Sequence, residues 1–283
     1  MAQPFGVILL FLISSAAIHG QESSPRGDQQ VKRVPLTRTL RFSVLNTLDA
    51  SGLPSPGDRA AMTIWPGASD EPPEGPTGFD VFADGSLVVT DPLSRRLVLY
   101  DSQGKFKQAW EIGFPPDSVT VTQDGLMLVR EANTGQTHVF DQEGKTRSDQ
   151  AARLPVQPQA RVLSRNSGTV PTTFTNGPAG GLISVRFDEP GSALLSLESL
   201  ATDPDRGTFV AIETTAPQGG SDGINIRKTV RRYSPQGTLL SETSAIPLDY
   251  YVLPVDELRV RNGIIYQLMT TRSEVRINEW NTN

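Results

Sequence analysis

The stretch that decides the fold is EGPTGFDVFADGSLVVTDPLSRRLVLYDSQGKF, residues 74–106. Asp84-Gly85 lies between two extended apolar runs and predicts a tight hairpin turn, because glycine accepts the positive φ that such turns require. The runs around this turn predict four antiparallel strands, which we name a to d: Gly78–Phe82, Ser86–Thr90, Arg96–Tyr100 and Lys105–Glu111.

One five-residue phrase recurs along the chain. It begins with an aromatic residue, the next residue is usually Asp, two variable residues follow, and the phrase ends with Gly. Its copies are Tyr100–Gly104, Phe140–Gly144, Phe187–Gly191 and Tyr233–Gly237, with a truncated copy at Trp280-Asn281. The aromatic positions are 40, 47, 46 and 47 residues apart. A period of this length with strand-like sequence predicts a repeat array such as a β-propeller.

The repeat resembles that of NHL-type β-propellers. Residues 74–106 follow that family's phrase of a Pro-led inner strand, an Asp-Gly turn, an acidic residue closing the second strand, and Arg-aliphatic before aromatic-Asp. The second unit aligns without a gap but has Glu131 as its acidic residue and Gln136 in place of the arginine. The third unit follows the phrase poorly, and the fourth carries an insertion rich in Gly and Ser. The resemblance implies an all-β propeller of four-stranded blades over most of residues 75–281.

The number of blades depends on how the last unit ends. If it has only three strands, an N-terminal strand at Thr39–Leu45 would supply its fourth, tie the chain ends together and leave no open sheet edge. This arrangement predicts five blades, with residues 46–74 as a long Pro-rich passage. Six blades is the alternative, if Met62–Trp65 and its surroundings form a degenerate unit.

The N-terminal residues predict export to the periplasm or the extracellular space. Phe5–Ile18 is an apolar run of signal-peptide length, followed by small residues, and we assign the signal peptide to residues 1–20. No later apolar run reaches the length of a membrane span, so we expect no stable membrane anchor after cleavage; an uncleaved single anchor is the alternative. Residues 21–37 are polar and predict a flexible leader, and residues 38–283 predict a single propeller domain.

Composition excludes several classes of site. The chain has no cysteine, which excludes disulfides, thiol catalysis, Cys-ligated zinc and iron–sulfur clusters. Only His19 and His138 exist, and one histidine in the mature chain cannot build a multi-histidine metal site. The 26 basic and 31 acidic residues give a net charge of −5 without a basic run, so we expect no nucleic-acid partner.

Carboxylates recur at one position of the repeat. The residues six places after the hairpin glycines are Asp91, Glu131, Glu213 and Met269. One interpretation is a ring of carboxylates that binds a divalent cation or a basic ligand. The other is that each carboxylate accepts hydrogen bonds from its own b–c loop. Because the position belongs to the repeat phrase itself, we favour the loop role.

Two hypotheses about function follow. The favoured one is a non-catalytic binding or interaction propeller without a cofactor, whose ligand is a protein, a peptide or a carbohydrate. The alternative is a metal-dependent hydrolase that resembles the gluconolactonase propellers and uses a divalent cation. In that alternative the ligands would be Asp91, Glu131 and Glu213, with an asparagine such as Asn133 or Asn225.

Overall fold

The computed structural model describes residues 31–45, 59–147, 161–162, 172–176, 181–185, 193–203, 206–215 and 225–283, all within one compact unit, Val31–Asn283. The described residues form strands joined by turns and loops, with no helix among them. The strands in chain order are β1 Lys32–Val34, β2 Arg38–Leu45, β3 Met62–Thr63, β4 Phe79–Val81, β5 Leu87–Asp91, β6 Arg96–Tyr100, β7 Phe106–Glu111, β8 Pro116–Val121, β9 Met127–Glu131, β10 Thr137–Phe140, β11 Arg161–Val162, β12 Thr172–Asn176, β13 Gly181–Val185, β14 Leu194–Asp203, β15 Gly207–Thr215, β16 Ile226–Tyr233, β17 Leu239–Thr243, β18 Leu258–Arg261, β19 Ile264–Thr270 and β20 Glu274–Asn281. The all-β fold class is therefore confirmed, and within this part of the chain no helix is long and apolar enough to cross a membrane.

The first repeat unit forms a four-stranded antiparallel sheet, which we call the first sheet, in the order β4-β5-β6-β7. Its strands agree with the four predicted ones to within one residue at every end. The turn between β4 and β5 places Gly85 at a φ of +84°, as the Asp-Gly signal requires. The second sheet has three antiparallel strands, in the order β8-β9-β10, which correspond to the first three strands of the first sheet.

The recurring phrase is the turn that follows the third strand of a unit. In its first copy the Asp101 carboxylate accepts the backbone N–H groups of Gln103 and Lys105, both at 2.9 Å, and these bonds lower the pKa of Asp101. Asp141 makes the equivalent bonds in the second copy. The copy at residues 187–191 lies outside the described residues.

The N-terminal strand joins the last unit, as predicted. The five-stranded sheet has the order β18-β19-β20-β2-β3, and β2 pairs antiparallel with β20 from Arg38 opposite Glu279 to Ser43 opposite Glu274. Its alternate residues Leu40 and Phe42 are buried. β3 pairs parallel with the end of β2, so Met62 and Thr63 extend this sheet.

A short strand, β1, lies within residues 21–37, the segment that the sequence predicts to be a flexible leader. β1 pairs parallel with β17, at the edge of a six-stranded sheet ordered β1-β17-β16-β15-β14-β11. The side chain of Val34 is only 1% exposed, and Arg33 forms a salt bridge with Glu242 of β17 at 2.6 Å. Three residues in a polar context carry no periodicity, and their partner lies some 200 residues away in the chain, so the sequence could not reveal this strand. The signal peptide and residues 21–30 lie outside the described residues.

The core consists of apolar layers between neighbouring sheets. One layer joins the five-stranded sheet to the first sheet, with Phe42, Phe79 and Leu268 among its members. A second layer joins the first sheet to the second sheet. A third joins the six-stranded sheet to the five-stranded sheet around Phe209 and Trp280. Neighbouring sheets therefore pack face against face through side chains that alternate along each strand.

Candidate functional site

The three carboxylates predicted from the repeat occupy corresponding places in three sheets. Asp91 and Glu131 are the last residues of β5 and β9, and Glu213 stands two residues before the end of β15. Each follows a glycine with positive φ, which reverses the chain and sets the register of the strand that carries the carboxylate. The contacts of the three carboxylates differ from one sheet to the next.

Asp91 is fully buried and forms an ion pair. Its Oδ2 accepts a hydrogen bond from Arg96 Nε at 2.9 Å and one from Thr63 Oγ1 at 3.2 Å. Arg96 also donates to the backbone carbonyls of Arg59 and Ala61, so it joins the first sheet to the segment of residues 59–63. Burial raises the pKa of Asp91, while Arg96 and the neighbouring hydroxyls oppose that shift. This carboxylate belongs to the core and lies out of reach of a soluble ligand.

Glu131 stands at the surface, with 18% of its side chain exposed. It accepts a hydrogen bond from Thr134 Oγ1 at 2.9 Å, and His138 Nε2 lies 3.4 Å from the same oxygen. The His138 ring stacks on Phe114 at a centroid distance of 4.3 Å. Glu131 therefore accepts a hydrogen bond from its own β9–β10 loop.

Glu213 lies in a polar cluster that connects the six-stranded and five-stranded sheets. It accepts a hydrogen bond from Ser196 at 2.8 Å and pairs with Lys228 Nζ at 2.6 Å. Lys228 also pairs with Glu257, which in turn accepts a hydrogen bond from Tyr250. Burial lowers the pKa of Lys228, but the two carboxylates outweigh burial and raise it overall. Lys228 is thus a fixed cation that holds two carboxylates of different sheets together.

The three carboxylates have separate partners. Among the described residues, no group of three or more His, Asp or Glu side chains is arranged to hold a metal ion. The cation between Glu213 and Glu257 is a lysine of the chain itself. Asn133 and Asn225, named with the hydrolase alternative, are exposed loop residues.

A second polar cluster, which the sequence analysis missed, connects the first strands of three units. Arg259 of β18 contacts Asp256 at 2.6 Å and Asp80 of β4 at 3.8 Å. Asp80 also accepts the N–H of Val121 in β8 at 2.6 Å. Burial raises the pKa of Asp80, and Arg259 opposes that shift. The cluster therefore fixes β4, β8 and β18 relative to one another.

Arg261 extends this cluster by donating to two backbone carbonyls, Val81 O at 2.9 Å and Val121 O at 3.0 Å. Asp256 accepts hydrogen bonds from Ser118 Oγ and the N–H of Val119. Two arginines and two aspartates balance in charge, and their polar atoms bind one another and the backbone. In the sequence, the aspartates and arginines of this cluster are charged residues in or next to short strands. They do not recur at one position of the repeat, so the repeat does not point to them.

Among the solved structures that match this chain are three that the alignment covers over most of their length. No protein-family model matches the chain, and no curated protein matches it. A member of the DUF4221 family from Bacteroides vulgatus has 8% identity and a TM-score of 0.28, and the alignment covers 87% of this chain and 97% of that one. BamB from Moraxella catarrhalis has 12% identity and a TM-score of 0.29, over 88% and 99% of the two chains. A streptogramin B lyase has 11% identity and a TM-score of 0.27, over 88% and 93%.

Proposed function

We propose that this chain is an exported five-bladed β-propeller, with NHL-like blades and β2 as its closing strand, that serves as a non-catalytic binding or interaction module. Export rests on the signal-like run Phe5–Ile18. The blade count rests on the repeat period and on the pairing of β2 with β20. Its ligand is a protein, a peptide or a carbohydrate.

The observation that carries the proposal is that each carboxylate at the repeated position binds side chains of its own sheet or loop. Asp91 is bound by Arg96, Glu131 by Thr134, and Glu213 by Ser196 and Lys228. Binding a shared metal would require each carboxylate to give up partners that hold its own loop or sheet. Hydrogen bonds to charged groups contribute about 1.5–3 kcal/mol each, so that exchange would be costly. In this proposal the three carboxylates stabilise their own loops and sheets, and other residues on the protein surface bind the ligand.

The test compares Glu131→Ala, Glu213→Ala and the double variant in chemical unfolding, with thermal midpoints measured in EDTA and in excess calcium or magnesium. We expect each single change to lower the unfolding free energy by about 0.5–3 kcal/mol, because each removes local hydrogen bonds. The losses should add to within about 0.5 kcal/mol, since the two carboxylates share no partner. Metal should leave every midpoint unchanged.

The opposite result has a defined size. A cation bound by the native state alone at a hundredfold excess over its Kd raises stability by about 2.7 kcal/mol. A midpoint that rises with calcium in the wild type but not in Glu131→Ala would refute the proposal and favour the hydrolase alternative.

A further inference from the structure

Most large apolar side chains of the described residues are buried, and four are exposed: Leu36, Ile226, Leu253 and Val255. Two of these four lie in one three-residue stretch, Leu253-Pro254-Val255, which we call the ridge. The Leu253 side chain is 77% exposed and Val255 is 48% exposed. The ridge belongs to the loop that leads into β18, one of the loops that form the usual ligand face of a propeller.

The ridge is held rigidly at both ends. On one side, Tyr251 N donates to Thr270 O at 3.0 Å, and Val252 N donates to the Thr270 hydroxyl at 2.8 Å. On the other, Val255 N and Asp256 N both donate to Thr77 O, at 2.7 Å and 3.0 Å. Asp256 is itself fixed by Arg259. Because the backbone is ordered on both sides, a partner that buries these side chains has little conformational entropy to overcome in the ridge.

An acidic loop lies beside the ridge. Trp65 and Glu74 pair through two backbone hydrogen bonds, at 2.9 Å and 3.0 Å, and close this loop. Tyr251 binds it by donating from its hydroxyl to Pro66 O at 3.2 Å. A Cβ on Gly75 would lie 3.4 Å from Cγ2 of Val252, so the end of the loop packs against the base of the ridge.

Charge around the ridge is unbalanced. Four exposed carboxylates lie in the acidic loop or just before the ridge in the chain, and within the described residues none of them forms a salt bridge. They are Asp70, Glu71, Glu74 and Asp249. A basic group also lies here: the Arg272 guanidinium stands 5.5 Å from the centre of the Tyr251 ring. The carboxylates that are paired with arginines elsewhere, such as Glu242, Glu274 and Glu279, are buried or partly buried. The four exposed carboxylates therefore give this surface a negative charge that a basic partner would complement.

We infer that the ridge and its acidic loop form a docking surface for a segment of another protein that presents aliphatic side chains beside lysine or arginine. The aliphatic side chains would cover Leu253 and Val255, and the basic groups would meet the carboxylates of the loop at the rim. The negative charge disfavours an anionic membrane and a second copy of the same acidic surface. This inference rests on the proposed function and names the surface that carries it.

The experiment uses the lack of native cysteine. Leu253→Cys and the matched control Ile226→Cys are each labelled with an environment-sensitive fluorophore and titrated with a capped heptapeptide of alternating lysine and leucine. We expect a saturable blue shift at position 253 and none at 226. A glutamate–leucine peptide and a lysine–serine peptide should each bind at least tenfold more weakly, because each lacks one half of the complementarity.

Unlabelled variants test the same surface without a dye. The affinity of the lysine–leucine peptide should fall at least tenfold in Leu253→Ser/Val255→Ser and stay unchanged in Ile226→Ser. Asp70→Asn/Glu71→Gln/Glu74→Gln should weaken binding and flatten its dependence on salt. These exposed substitutions leave the core intact, and an unchanged unfolding midpoint verifies this.

Four results would overturn the inference: no binding by the wild type, equal affinity in the ridge variant, ridge-dependent self-association in sedimentation, or ridge-dependent binding to phosphatidylglycerol vesicles. Failure of the proposed function gives a different result, since a metal-dependent hydrolase is stabilised by calcium whatever stands at Leu253. The ridge variants should accordingly show the same response to EDTA as the wild type.

Discussion

The first and second repeat units have nearly the same sequence pattern, but the same carboxylate position is core in one and surface in the other. Asp91 is 0% exposed and lies opposite Arg96 across the β5–β6 pair. The Glu131 side chain is 18% exposed, and its backbone N–H donates to the carbonyl of Gln136, the residue that corresponds to Arg96. Glu131 accepts a hydrogen bond from the Thr134 hydroxyl three residues further on, whereas Ser94, at that place in the first unit, bonds to the Thr63 hydroxyl, which donates to Asp91. The same repeat position therefore holds a loop contact in one unit and a buried ion pair in the other.

The difference comes from a segment outside the repeat. Residues 59–63 lie against the first sheet, where Arg96 donates to two of their carbonyls and Thr63 donates to Asp91. Tyr100 adds a hydrogen bond to Ala60 O at 2.7 Å. β3, at the end of this segment, is in turn paired with β2. A repeat position thus acquires its environment from a non-repeated neighbour, and the chain's N-terminal strands decide which carboxylate is buried.

Truncation gives the largest expected effect. Three truncated chains are compared. The chain that begins at Val31 keeps every described strand, the one that begins at Thr37 lacks β1, and the one that begins at Asn46 lacks both β1 and β2. Loss of Val34 should lower the unfolding free energy by about 1.5–3 kcal/mol, the value of one buried side chain. Loss of Leu40 and Phe42 should add about 3–6 kcal/mol and open a sheet edge.

Hydrogen exchange separates the two units in that series. In the chain that begins at Asn46, amides of β6 should lose protection because the covering segment loses its partner β2, whereas amides of β10 should retain more. If the chains beginning at Thr37 and Asn46 unfold at equal denaturant concentrations, β2 does not contribute as described.

Removing the arginine should affect the two units unequally. Arg96→Met leaves Asp91 buried without its cation and should cost about 3–5 kcal/mol in urea unfolding. Gln136→Met, the matched change in the second unit, should stay within about 0.5 kcal/mol. The double variant Asp91→Leu/Arg96→Met should be more stable than Arg96→Met alone, because it removes the unpaired charge. A double variant less stable than the single would show that the charge is not the cause.

The same variant should show a pH dependence of known sign. Burial raises the pKa of Asp91 above 3.8, and loss of Arg96 should raise it further. A group with a raised pKa in the folded state contributes stability that is complete below the unfolded pKa and is lost as pH rises through the folded value. The deficit of Arg96→Met should therefore be small near pH 4 and largest at neutral pH. A deficit that is constant from pH 4 to pH 7 would contradict this assignment.

Local signals in the sequence predicted the strands well. The first sheet follows from Asp84-Gly85 and from the Tyr100–Gly104 phrase, because both turns are stabilised by contacts within a few residues. The pairing of β2 followed from a different argument, that a three-stranded last unit leaves an edge to be covered. The capping role of Glu131 was one of two interpretations, and its bond to Thr134 is the local contact which that interpretation describes.

Features that depend on distant residues could not be predicted. Asp80 and Arg259 come together although they lie far apart in sequence, and β1 needs β17. The backbone also departs from the repeat at Arg95, which has a φ of +49° where the second unit has Gly135 at +70°. An arginine in the left-handed region costs about 1–2 kcal/mol. Backbone hydrogen bonds from Arg95 N to Pro92 O and from Ile112 N to Arg95 O hold it there. Such strain has no signal in a single sequence.

The smallest expected effect comes from giving the second unit the arginine of the first. Gln136→Arg places a guanidinium opposite Glu131, in the register that Arg96 has opposite Asp91. Because Glu131 is 18% exposed, the new pair should contribute only about 0–1 kcal/mol, and that gain should disappear in high salt. Urea unfolding at low and high ionic strength measures both quantities. A gain above about 2 kcal/mol that persists in salt would mean that the arginine alone creates the buried pair, and that the covering segment of the first unit is a consequence of the pair and not its cause.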